Sequence, residues 1–193
     1  MDMMQVRRKM ILYSKKKSVL PEGYTQVEYV YCDDSQPFII LDDYEGTENR
    51  TIWVRVSRDE GYTAEGGFVG NTGNYGGGEF EIYYQKGDNK IFRAWPNGWT
   101  KLISSVYGDT YDEVTVRLFR STNGTRLLGR FRNGSYKHHG KIFEYAEFDV
   151  DKNIIHHLYP CISPDNVVGF YCIVTNYFYG PASSAVFVAG PDV

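Results

Sequence analysis

"RTIWVRVSR", residues 50–58, alternates along its length. Ile52, Val54 and Val56 fall on one side and Thr51, Trp53 and Arg55 on the other. A two-residue period marks a strand with one face turned to a core. The same reading extends outward in both directions. "DEVTVRLFRS" (112–121) alternates, with Val114, Val116 and Leu118 opposed to Thr115 and Arg117. "YTQVEYVY" (24–31), "PFIIL" (37–41), "GGFVGN", "EFEIYYQ" (79–85), "KIFRAW" (90–95), "TRLLGRF", "KIFEYAEFDV" (141–150), "NIIHHLYPCI" (153–162), "NVVGFYCIV", "YFYG" and "AVFVAG" are further short runs rich in Tyr, Val, Ile, Phe and Thr. Asn97-Gly98, Asn123-Gly124, Asn133-Gly134 and the glycine-rich "GNTGNYGGG" (70–78) cut between them. Strands of this length, punctuated in this way, predict an all-β sandwich or barrel, with no helix longer than one turn. No repeat of fixed period appears, which disfavours propellers and solenoids.

The totals agree with one domain carrying an appendage. The chain has 193 residues, of which 42% are hydrophobic, enough for a substantial core. No apolar run approaches the roughly 20 residues that span a bilayer. The cationic start is not followed by the apolar segment of a secretory signal. Charge is unevenly placed. Residues 1–17 hold Arg7, Arg8, Lys9, Lys15, Lys16 and Lys17 against Asp2, a net of +5. With −3 for the whole chain, residues 18–193 carry −8. An acidic body argues against nucleic acid as a partner, whereas a short basic segment suits an acidic protein surface. Residues 1–19 therefore read as a docking arm and residues 20–193 as the folded domain. In the arm, Arg7, Arg8 and Lys9 supply charge, and Met10, Ile11, Leu12 and Tyr13 form an apolar anchor. A disordered solubilising tail is the plainer alternative, but it gives no use for the apolar core of the arm.

Both ends of the domain carry a resemblance. "LPEGYTQVEYV" (20–30) followed by "QPFIILDD" is similar to the opening of a family of concanavalin A-like, laminin G-like jelly rolls abundant in bacteriophages and prophages of gut bacteria. "KIFEYAEFDVDKNIIHHLYPCI" and "DNVVGFYCIVTNYFYGPASSAVFVAGPDV" resemble the closing segments of that family. The resemblance covers residues 20–193 and is carried by the two ends. Cys172 and Ile173 stand where Asp and Leu are usual in the family, and "YGPASSAVF" replaces its common Thr/Gly-rich phrase. The resemblance implies a two-sheet jelly-roll sandwich. It also implies a virion role, as a capsid- or tail-associated decoration or fibre protein present in symmetric copies.

Sites of chemistry are few. Glu79 and Glu81 share a strand face, as paired acids do in jelly-roll glycosidases, but Tyr and Gln occupy the places of the later acids. Glu147 and Asp149 form a second same-face pair, read as solvated. His156 and His157 are neighbours on a strand and point to opposite faces, so they cannot chelate one ion together. His138 and His139 lack an identifiable third ligand, and the acids at 42–44 lack a calcium-loop pattern. No metal, cofactor or enzymatic activity is expected. Cys32, Cys161 and Cys172 read as buried reduced thiols, with Cys161 facing the neighbourhood of Val168 across the "SPDN" turn. Aromatics are the one excess, with 17 Tyr, 11 Phe and 3 Trp. Trp95, Trp99, Tyr83 and Tyr84 are the candidates for an exposed shelf that fills a protein interface or stacks on a glycan. The expected role is thus non-enzymatic, with other virion subunits and further copies as partners; a carbohydrate-binding module is the rival.

Overall fold

The computed structural model describes residues 19–33, 35, 37–43, 50–59, 66–71, 81–84, 92–95, 100–101, 112–118, 125–131 and 136–193. The basic segment 1–18 lies outside them. Among the described residues there is no helix, and the strands pair antiparallel throughout. In chain order they are β1 (Thr25–Gln26), β2 (Val30–Cys32), β3 (Ile39–Asp43), β4 (Arg50–Arg58), β5 (Gly66–Asn71) and β6 (Glu81–Tyr84). Then come β7 (Phe92–Trp95), β8 (Thr100–Lys101), β9 (Asp112–Leu118), β10 (Thr125–Leu128), β11 (Arg130–Phe131) and β12 (Tyr136–Lys137). The last five are β13 (Gly140–Phe148), β14 (Ile154–Ile162), β15 (Val168–Cys172), β16 (Tyr177–Tyr179) and β17 (Val188–Ala189).

One sheet is built around β13, which pairs with β4 along one edge while β4 carries β9 beyond it. On the other side follow β14, β15 and β16. A second sheet runs β3-β10-β5-β6-β7-β8, and β11 and β12 form a small ribbon. Alternation places Ile52, Val54 and Val56 of β4 inward, all fully buried. They join Ile142, Tyr145, Leu158 and Phe170 of the first sheet and Ile39, Leu41, Val69 and Leu128 of the second in one cluster. The core thus draws on both sheets, and burying these apolar side chains contributes roughly 2 kcal/mol each.

Turn chemistry explains the hairpins. Between β14 and β15, Asn166 N–H donates to Ser163 C=O (2.9 Å) and Ser163 N–H to Val167 C=O (2.9 Å). Pro164 supplies the fixed φ that opens such a turn, and Asn166 closes it in the left-handed region at φ 60°. Asp149–Asn153 repeats the pattern between β13 and β14, with Lys152 at φ 65°. Cys161 faces Gly169 across the first of these hairpins, one residue from the expected position.

The expected first strand, 24–31, is in fact two. Thr25 and Gln26 pair with Ile162 and Cys161 of β14, whereas Val30, Tyr31 and Cys32 pair with β13. Residues 25–32 enter where β13 and β14 part, and residues 188–193 run along them from the other side. Pro160 sits at that parting. Its carbonyl accepts from Val27 N–H (3.1 Å). Proline, which has no N–H to donate, fits the point where β14 leaves its first partner.

Candidate functional site

The chemistry-bearing side chains converge on the β13–β14 hairpin. After a one-residue register shift just past its turn, Glu147 stands across from His156 and Ala146 across from His157. A bulge then decides which face each acid takes. Ile142 pairs with Val56 and Glu144 with Arg55, so Phe143 is an extra residue and the faces exchange after it. Tyr145 and Glu147 consequently point to the core side, Glu144 and Ala146 to the opposite side with Trp53.

Each face carries a carboxylate–imidazole pair. On the side away from the core, His157 Nε2 and Glu144 Oε1 are hydrogen-bonded at 2.6 Å. The Tyr159 ring lies 4.5 Å from the imidazole. His157 is only 1% exposed. On the core side, His156 Nδ1 lies 3.3 Å from Glu147 Oε2, and Tyr145 O–H donates to the same oxygen at 3.2 Å. A carboxylate that orients an imidazole can raise its competence as a base. Here both pairs are buried against their own sheet and link β13 to β14, His157 through a hydrogen bond to Glu144 and His156 at ion-pair distance from Glu147. The expectation that Glu147 and Asp149 form a solvated same-face pair does not hold. Glu147 is buried against His156. Asp149 lies past the end of β13 and caps the turn, accepting from Asn153 N–H (2.8 Å) and Nδ2–H (2.9 Å).

A second constellation gathers where the chain enters β13. Tyr31 O–H donates to Asp59, and His139 Nδ1 stands at ion-pair distance, 2.9 Å, from the same carboxylate. His138 is fully buried, and its Nε2–H donates to Lys141 C=O at 3.3 Å. Burial pushes the His138 imidazole down to about 3, against an ordinary value of 6.5, despite the opposing backbone bond. His138 and His139 therefore face a carbonyl and a carboxylate respectively. No group of three His, Cys, Asp or Glu side chains able to hold a metal occurs among the described residues. The three cysteines are buried and unbridged. Burial raises the Cys161 thiol to about 12 and lifts Cys32 far above its usual range.

The third feature is the root of the basic segment. Leu20 is buried with Tyr159, Cys161 and Tyr171 on the side of the sheet away from the core, and Val19, Tyr24, Ile173 and Phe178 pack around them. Tyr24 lies 4.9 Å from the Tyr171 ring and 5.8 Å from Phe178. Gly23 stands at φ 89° beside Pro164 of the β14–β15 turn. An aromatic seat thus fixes the point from which residues 1–18 depart.

Of the residues singled out in the sequence, Arg7, Arg8, Lys9, Met10, Ile11, Leu12, Tyr13, Glu79 and Trp99 lie outside the described residues. Tyr83 and Tyr84 belong to β6, across from Arg93 and Phe92, and Trp95 ends β7 across from Glu81. Glu144 and Tyr31 were not legible as site residues; the turn at Asp149–Asn153, extrapolated as a hairpin, puts Glu147 across from Ile155, and only a one-residue register shift between Glu147 and Phe148 brings His156 to it. Comparison with family models, with curated proteins and with solved structures finds no match to this chain.

Proposed function

We propose that the chain is a non-enzymatic component of a bacteriophage virion, a jelly-roll β-sandwich fastened to neighbouring capsid or tail subunits by its basic N-terminal segment. The observation that carries this reading is the buried seat of Leu20, immediately after a segment of +5 on a body of −8. A tether transmits position only if its root is fixed, and Leu20 with its aromatic neighbours fixes it. Arg7, Arg8 and Lys9 then supply attraction to an acidic partner groove, and Met10, Ile11 and Leu12 supply the apolar contact that survives salt. The core shared by two sheets supports the sandwich, and the resemblance of both ends to the phage jelly rolls supports the virion setting. The imidazole–carboxylate pairs, closed against their own strands, accord with a structural part.

The test is incorporation into particles. Full-length chain with Arg7→Glu, Arg8→Glu and Lys9→Glu together should fold as the parent does, by circular dichroism. In purified particles it should be depleted at least tenfold, by quantitative mass spectrometry. Equal incorporation of the two forms overturns the reading.

A further inference from the structure

Among the described residues no strand pairs with the outer edge of β16. Ile173 N–H donates to His157 C=O at 3.0 Å, so alternate residues of β15 bond toward β14, and Phe170 and Cys172 bond toward β16. Their partners there are Tyr179 and Tyr177. Phe178, between them, therefore turns its own N–H and C=O away from β15. Neither group has a hydrogen-bond partner among the described residues. Exposed apolar side chains mark the two ends of this edge, Tyr177 and Val174 at one and Val167 at the other; Tyr177 is 59% exposed. Soluble proteins blunt an open edge with charge. Here no charged residue occurs from Ile173 to Pro191.

The seat of Leu20 lies against the same strands, since Phe178 and Tyr171 form part of it. The edge and the root of the basic segment are thus neighbours. Met10–Tyr13, extended, spans about 13 Å, the length of β16 with its flanks. The seven positions from Tyr13 to Leu20 reach at most about 24 Å. The basic clusters on either side of Met10–Tyr13 suit a body of opposite sign.

We propose that Met10–Tyr13 of a second copy adds as a strand to the outer edge of β16, with Phe178 N–H and C=O as its docking pair and Tyr177 and Val174 as its apolar contacts. Strand addition of this kind takes its affinity from main-chain hydrogen bonds and its register from alternate side chains. Because edge and root are adjacent, two copies can exchange segments reciprocally about one two-fold axis, and both edges are covered at once. The inference rests on the tether reading above and names one partner of the tether: another copy of the chain.

The experiment uses the full chain and two single substitutions in it. Leu12→Asp spoils the segment and leaves the edge intact, and Tyr177→Lys charges the edge and leaves the segment intact. Sedimentation equilibrium at tens of micromolar should find the parent self-associated and each variant at least tenfold weaker. An equimolar mixture of the two variants should recover association, since one intact segment meets one intact edge. Val174→Lys serves in place of Tyr177→Lys if the latter loses its parental circular dichroism. A monomeric parent, variants that associate as the parent does, or a mixture that stays monomeric each overturns the inference. These outcomes leave the virion reading standing, because incorporation into particles is scored on a different variant.

Discussion

The dipeptide His-His occurs twice, and the two regions that contain it put it to different use. At 138–139 it stands just before β13, where His138 bonds a backbone carbonyl and His139 faces Asp59. At 156–157 it stands inside β14, where both rings meet carboxylates from β13, one on each face of the sheet. The strand period separates the two rings only at 156–157, inside β14. What also differs is the neighbour. Inside a ladder, the opposing strand offers a side chain at every position, and register selects Glu147 and Glu144. Before the ladder begins, the ring takes whatever the turning backbone presents. The first region is therefore a neutral histidine held by burial, and the second a pair of cross-strand clasps.

The largest expected effect breaks the first region. Gly140 follows the dipeptide at φ 144°, paired to Cys32 on one side and Arg58 on the other. A Cβ there would lie 2.1 Å from Ser57 O and 2.9 Å from Arg58 Cα, both backbone atoms that cannot swing aside. Gly140→Ala should cost on the order of 4 kcal/mol, seen as a collapse of the urea midpoint. Both histidine environments should be lost with it.

A smaller effect sharpens the contrast. Glu144→Leu leaves the His157 imidazole buried without its acceptor, and urea titration should show a loss of about 3 kcal/mol. Adding His157→Phe should recover part of that loss. A coupling energy near 2 kcal/mol would identify the clasp, and a value near zero would dissolve the distinction between the regions.

The smallest effect is a slope. His138 titrates near 3 when folded and near 6.5 when unfolded, so the unfolded chain takes up its proton first. The contribution is neutral above pH 6.5, and stability falls as pH drops through the interval from 6.5 toward 3, by up to about 1.4 kcal/mol per unit. His138→Gln, which keeps a donor for Lys141 C=O, should flatten the dependence between pH 6.5 and 5. An unchanged slope would show that His138 is not held neutral.

Much of this architecture can be read from spacing. "RTIWVRVSR" is β4 to the residue, and the runs at 141–150 and 153–162 are β13 and β14 to within two. Pro164 with Asn166 marks its turn. Two devices escape a period-based reading. The bulge at Phe143 exchanges faces in mid-strand, so an alternating pattern counted from Ile142 puts Glu144 inside and Tyr145 outside, the reverse of what forms. The change of partner at residues 27–29 leaves no compositional mark, because both halves remain extended and only the opposing strand differs. Burial of Glu147 follows from the same cause: an acid's surroundings are set by strands distant in sequence, not by its own neighbours.

The pairing of residues 26–31 with 188–193 also governs when the sheet can be completed. Tyr31 must wait for Val188, roughly 160 residues later, and closing a loop of that size costs about 4–5 kcal/mol of chain entropy before any contact repays it. During synthesis the slot beside β2 stays vacant until residues 188–193 have cleared the ribosome, so the nascent chain carries a sticky, half-built margin until they arrive. Refolding should accordingly be slow for a chain of this size, with the two distant segments zipping last.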